Sequence, residues 1–196
     1  MNNKRLTAML AGTLFAAVTQ QALAAKGPEY SYAEIGYINI DADQIEGDGA
    51  GVNISFGATD HVFIKFGYDR LFMETSNPAL EFDADRFQVG GGMHFGITDT
   101  IDVLGAVSYL DVEYSNGVPT EADEGYLVEA GVRAMLNKKL ELNATASALH
   151  FDGEDDIGLG VGGVFDITKN FALSGSYNRF DDAEENEFFV GVRMEF

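Results

Sequence analysis

The sequence predicts an all-β fold, a transmembrane antiparallel up-and-down β-barrel of ten strands, with eight as the alternative count. Three observations predict it. Apolar residues alternate with period 2, and no stretch after residue 25 keeps a helical period. Short turns take turns with longer acidic connections along the chain. One apolar phase also keeps a constant length of nine residues, in Ala50 to Ala58, Phe87 to Phe95, Ile101 to Tyr109, Ile157 to Phe165 and Phe188 to Phe196. At roughly 3.3 Å per residue and a tilt near 40°, such a run crosses on the order of 22 Å, the height of a membrane barrel's apolar band. A soluble β-sandwich has no reason to hold that length constant.

The first element is a leader. Lys4 and Arg5 form a basic start, Leu6 to Val18 an apolar run, and Ala22 and Ala24 an A-x-A cleavage pattern. These features predict a signal peptide over residues 1–24 and a barrel over 25–196. No Cys follows the cleavage site, so a lipid anchor is not expected. Cys is absent altogether, and an exported chain without it must be stable without disulfides. Asp and Glu number 32 against 12 Lys and Arg, a net charge of −20, which excludes nucleic acid as a partner. An apolar content of 46% argues against disorder.

Strands are expected at about 30–40, 49–58, 61–73, 84–97, 100–114, 124–136, 139–151, 156–167, 170–180 and 187–196. The short turns are "GATDH" (57–61), "GITDT" (96–100), "LNKKL" (136–140) and "DITKN" (166–170). Long acidic loops are expected at 41–49, 74–85, 115–125, 152–156 and 181–186. An even strand number brings the first and last strands together on closure.

Aromatic residues in the apolar phase fall into two bands. Phe56, Phe95, Phe165, Phe171 and Phe196 lie beside the short turns, and Tyr37, Tyr68, Phe87, Tyr109, Tyr126, Tyr177 and Phe188 toward the long loops. Two bands are what interfacial girdles require. The opposite phase is polar and should face the interior, where charges need partners. Lys65, Arg133 and Arg193 are expected to pair with inward carboxylates such as Glu34, Asp69 and Glu129 in a central lumen network. Small inward residues, among them Gly36 and Gly92, would leave room for a narrow water-lined path.

No catalytic, cofactor-binding or metal-ligating set is expected, and the chain is read as not an enzyme. None of His61, His94 and His150 has a Ser two residues later, the spacing that would put a base and a nucleophile on one strand face. The segment 41–48 lacks the glycine that a calcium-binding helical hairpin loop needs, since Glu46 stands there. "DGEDD" (152–156) is acidic enough to bind a divalent cation weakly. Cation bridging to lipopolysaccharide phosphates or recognition of a basic extracellular partner are the functional uses such loops allow. Lys138, Lys139 and Lys169 lie in the short turns, which should face the periplasm, so the acidic loops should face outward.

The last strand, "EFFVGVRMEF", puts Phe188, Val190, Val192, Met194 and Phe196 on the lipid face. A terminal aromatic after alternating apolar residues resembles the signal read by the outer-membrane assembly machinery, and no further domain is expected after it. With "YSYAEIGY", "GVNISFGATDHVFIKFGY", "GYLVEAGVRAMLNKKLEL" and "FFVGVRMEF", the chain resembles the small outer-membrane barrels described as a sulfation-dependent quorum factor in plant-pathogenic bacteria, within the OmpA-like and porin-like β-barrel superfamily. The resemblance implies an integral outer-membrane protein of a Gram-negative bacterium, in contact with outer-membrane lipid and lipopolysaccharide, and shed in vesicles or linked to biofilm. It transfers no catalytic residue, and no sulfation is carried over to Tyr30 or Tyr32. Two functions stay open: a structural or surface-interaction barrel, and a narrow channel or small-solute porin.

Overall fold

A computed structural model describes residues 27–42, 45–75, 81–115, 122–151 and 154–196. The expected signal peptide lies outside the described residues. Ten antiparallel strands follow in order: β1 (Tyr32–Ala42), β2 (Ile45–Gly57), β3 (Val62–Thr75), β4 (Phe82–Thr98), β5 (Ile101–Ser115), β6 (Ala122–Asn137), β7 (Leu140–Phe151), β8 (Glu154–Asp166), β9 (Phe171–Phe180) and β10 (Glu185–Glu195). Each pairs with its chain neighbours, and β1 pairs with β10 to close the barrel. The closing register runs from Tyr32 opposite Glu195 to Asp41 opposite Asn186. Closure leaves no unpaired sheet edge, which is the condition for crossing a hydrocarbon layer with strands.

Alternation decides which way each side chain points. The apolar phase faces out, with Ile35, Phe56, Ile157 and Leu159 among the exposed large side chains. The outer band of aromatics is built of ladder pairs: Tyr68 lies opposite Phe87, Tyr109 opposite Tyr126, and Tyr177 opposite Phe188. The terminal Phe196 ring lies 6.2 Å from that of Phe56 in the other band.

Two expectations are corrected. Where the expected acidic loops fall on described residues they are largely strand: β1 and β2 are separated only by residues 43–44, β7 and β8 only by 152–153, and β9 and β10 by the turn 181–184, while 76–80 and 116–121 of the other two expected loops lie outside the described residues. The strands run on past the Tyr and Phe band as a collar, with acids such as Asp41, Glu46, Asp48 and Glu113 on its outer surface, while Asp156, Glu185 and Glu187 point inward and are buried. The interior is also not polar throughout. Within the collar Ile38, Ile40, Ile45, Leu71, Met73, Ala84 and Phe189 form one buried apolar cluster. Leu110, Val112, Leu127, Leu149, Phe151, Phe180 and Ala183 form a second. The two faces exchange polarity at the aromatic band because the medium outside changes there. Against lipid the outer face must be apolar, whereas in water the outward positions carry Asp41, Asp48, Asp85 and Glu113 and the inward ones make a core.

Phe189 occupies the space left by inward glycines. A Cβ on Gly36 would stand 2.2 Å from the Phe189 ring, and one on Gly92 would stand 2.5 Å from Phe63. Those glycines accommodate neighbouring rings, and do not contribute to an open path.

Candidate functional site

Buried charge gathers in the interior from the lower part of the apolar clusters, where Arg86 lies opposite Val112 and Glu187 opposite Ile40, down toward the short-turn mouth. Lys65 on β3 pairs with Glu129 on β6. Arg193 Nη2 on β10 lies 3.2 Å from Glu34 Oε1 on β1, its direct partner in the ladder. Arg133 turns to Glu141 in a two-pronged contact, Nε donating to Oε1 at 3.0 Å and Nη2 to Oε2 at 3.0 Å. Asp69 takes its partner from β4: Arg86 donates Nε to Asp69 Oδ2 at 2.8 Å and also reaches Glu187 Oε2 at 3.3 Å. All six expected network residues therefore lie in the lumen, but the pairings of Arg133 and Asp69 differ from those expected. Arg86, Glu141 and Glu187 are the members that the expected network lacked. Parity held the signal for Arg86, which lies in the strand expected at 84–97 and falls in phase with the inward Gln88.

Isolated buried charges are very costly, and paired ones are tolerated only with good geometry. Arg86, Arg133 and Arg193 are among the largest fully buried side chains, so each holds its carboxylate in a site closed to bulk solvent.

The segment before β1 adds a layer that sequence reasoning missed. Residues 28–31 turn into the short-turn mouth and bury Tyr30 to 4% exposure. The Tyr30 hydroxyl donates to Asp102 Oδ2 at 3.2 Å, and its ring packs with Phe63 and Ala106. The Arg133 guanidinium stands 4.4 Å from the Tyr30 ring centroid, as the Arg193 guanidinium stands 4.2 Å from that of Tyr32. Ser55 Oγ donates to the Tyr30 carbonyl at 2.8 Å, Arg133 Nη2 to the Glu29 carbonyl at 3.3 Å, and the Gly57 amide to Ser31 Oγ at 3.1 Å. Burial pushes the Glu29 carboxyl above its ordinary value.

The histidines serve these layers. His94 Nδ1 lies 3.1 Å from Asp102 Oδ2 inside the mouth. His61 is exposed in the β2–β3 turn, stacked 5.5 Å from Phe95. His150 stacks 4.8 Å from Tyr126 at the opposite rim, with Nδ1 against Asp155. Among the described residues no three His, Asp or Glu side chains come together so as to hold a metal ion. Asp152 and Gly153 of the acidic "DGEDD" stretch lie outside the described residues.

The expected assembly-signal residues line the outer face of β10 and the chain end, Phe188, Val190, Val192, Met194 and Phe196 each being 45–49% exposed.

A closed ten-stranded barrel with an apolar belt, two aromatic bands and a charged interior is an integral outer-membrane barrel. The family model described as "Outer membrane protein beta-barrel domain" matches residues 7–158, and the chain belongs to that family. It resides in the outer membrane of a Gram-negative bacterium. Among solved structures it is similar to an outer membrane channel from Pseudomonas putida F1, at TM-score 0.54 and 10% identity over 90% of this chain and 97% of that one. It is also similar to the translocator domain of the autotransporter NalP from Neisseria meningitidis, at TM-score 0.52 and 13% identity over 100% of this chain and 95% of that one. The KdgM porin aligns at TM-score 0.47 and 12% identity over 83% and 99% of the two chains. These likenesses are of fold. No curated protein matches.

Proposed function

We propose that this barrel is closed to solutes and acts through its acidic collar, as a structural and surface-interaction protein of the cell envelope. The observation that carries this reading is the interior filled at three successive levels. Tyr30 occupies the short-turn mouth, the Arg133, Arg193 and Lys65 ion pairs cross the middle, and the two apolar clusters fill the collar together with the Asp69, Arg86 and Glu187 ion pairs at their lower edge. The collar faces the cell exterior and the turns with Lys138, Lys139 and Lys169 face the periplasm, in keeping with short periplasmic turns in such barrels.

The partners that fit are those of an anionic outer surface: lipopolysaccharide bridged by divalent cations, or a basic extracellular molecule. Phe196 and the alternating residues before it serve as the handle for the outer-membrane assembly machinery. The resemblance to the sulfation-dependent quorum factor family supports a place in shed vesicles and biofilm. Burial of Tyr30 and Tyr32, each 4% exposed, leaves neither hydroxyl open to sulfation in the folded barrel.

Planar-bilayer recording tests the reading. Purified barrel should insert without conducting. Steady cation-selective openings would replace it with the narrow-channel alternative.

A further inference from the structure

The lipid-facing surface carries a depression of about 560 Å³ across β6 to β10. Its floor follows one row of ladder neighbours: Phe188 opposite Tyr177, Tyr177 opposite Val161, Val161 opposite Ala144, and Ala144 opposite Val132. The row starts in the aromatic band at Phe188. It ends at Val132, which stands six residues beyond the band residue Tyr126 toward the β6–β7 turn. It therefore descends obliquely from the collar side into the other half of the belt. Beside it Gly163 and Gly175 face each other across β8 and β9, so the ladder carries no side chain at that rung. The volume falls in the range of ligand pockets, and the walls are almost wholly apolar.

The rung above the upper end is polar. Arg179 lies opposite Asn186, two residues further along both strands than the Tyr177 and Phe188 pair, about 7 Å toward the collar. Tyr177 donates its hydroxyl to Asn186 Oδ1 at 2.6 Å, and Arg179 Nη1 reaches the same oxygen at 3.4 Å. Among the described residues Arg70 and Arg179 are the two basic side chains that face outward at the foot of the collar. Arg70 is engaged by Asp83 at 2.9 Å and Asp85 at 4.0 Å. The ion-pair partner of Arg179 is Asp181, 3.8 Å away and 81% exposed, which leaves the guanidinium half open to an incoming anion.

We infer that this groove and Arg179 form a binding site for lipopolysaccharide, with one acyl chain of its lipid A lying along the Tyr177, Val161, Ala144 row and a phosphate on the Arg179 guanidinium. The spacing suits an amphiphile: an apolar trough that starts at the girdle, and a cation about 7 Å above it at headgroup level. A guanidinium is the side chain best matched to a phosphate. The site rests on the outward orientation of the collar proposed above.

Native mass spectrometry of the detergent-purified barrel tests it with three probes: phosphorylated lipid A, its dephosphorylated form, and phosphatidylglycerol. Wild type should retain phosphorylated lipid A in preference to both others. R179Q should lower that retention about tenfold, the effect of one charge-assisted contact. A Cβ on Gly175 would meet only the Phe189 carbonyl, at 3.5 Å, so G175L fits the backbone and fills the trough; retention should be lost. R70Q should retain as wild type does. Heat-modifiable gel migration checks that each variant is folded. Equal retention by wild type, R179Q and G175L would overturn the site, as would an equal loss in R70Q. Binding of phosphatidylglycerol or dephosphorylated lipid A as strong as that of phosphorylated lipid A would overturn the lipid assigned to it. Orientation is read apart: N186C in intact cells should react with a membrane-impermeant maleimide. No reaction means that the proposed orientation fails, and reaction without lipid retention means that the groove does.

Discussion

Tyr30 lies flat on His94, the ring centroids 3.6 Å apart and the planes 16° from parallel. An aromatic pair from two distant parts of the chain thus closes the short-turn end of the lumen, with Asp102 within hydrogen-bond reach of both.

Removing that ring should unlatch the segment before β1. Tyr30→Ala is expected to lower stability by about 3 kcal/mol, in the range of large buried aromatic deletions. Tyr30→Phe keeps the stack and loses the hydroxyl's contacts to Asp102 and Arg133, at about 1 kcal/mol. Urea unfolding in detergent, followed by intrinsic fluorescence, reads both. Equal losses from the two variants would mean that the stack contributes little.

Arg133 and Glu141 should behave as a unit. Arg133→Met alone leaves a buried carboxylate without its partner, at a cost of roughly 3 to 5 kcal/mol. The double variant R133M/E141L should recover most of that loss, since an apolar pair replaces a buried ionic one at little cost. A double-mutant cycle with additive single costs would show that the two side chains act independently.

Gly36 and Phe189 are complementary in shape. Gly36→Ala should be strongly destabilising while Phe189 is present, because the added carbon would stand 2.2 Å from the ring. Phe189→Ala opens a cavity and costs about 3 to 5 kcal/mol. In F189A the further change G36A should cost less than it does beside Phe189, with a residual cost because the added carbon still stands 2.5 Å from the Val190 carbonyl oxygen, and thermal melting of the single and double variants measures this.

The segment before β1 should respond to pH. The folded state raises the Glu29 carboxyl above its ordinary value through burial, so it binds that proton more tightly than the unfolded chain does. Its contribution to stability is most favourable at pH below the ordinary Glu range. It declines as pH rises through the window between the unfolded value and the raised folded one. Glu29→Gln should remove this slope and make the barrel more stable than wild type at neutral pH. Urea midpoints across pH 4 to 7 check the sign, and a wild-type slope unchanged in E29Q would contradict it.

Much of the barrel was legible because a period of 2 is a strong signal wherever one face meets lipid. The alternation of four short turns with five longer connections carried the strand number and closure, and the constant nine-residue run beginning at Phe87 and Phe188, with the two aromatic bands, carried the membrane-crossing height. The collar was hidden by the same signal. Beyond Tyr37 and Tyr68 the polarity of the two faces reverses, so Asp41 and Asp48 looked like loop while Ile38 and Leu71 had no evident place. The interior network was visible only as parity. Parity brings Lys65, Arg133 and Arg193 inward but cannot choose between Glu129, Glu141 and Glu187, since that choice depends on the tilt of strands around a closed ring. Tyr30 was hidden for another reason: nothing in "PEYS" tells a strand start from a segment that folds into a mouth.

The collar changes what meets the barrel from outside. Six or so strand residues past the girdle raise it roughly 15 Å above the apolar band. A molecule approaching the collar meets negative charge fixed on strand residues, among them Asp41, Asp48 and Glu113. In physiological salt its field fades within about 8 Å. Recognition there is a short-range fit to a rigid wall, and antibodies raised against the folded protein should fail on linear peptides from the same strands.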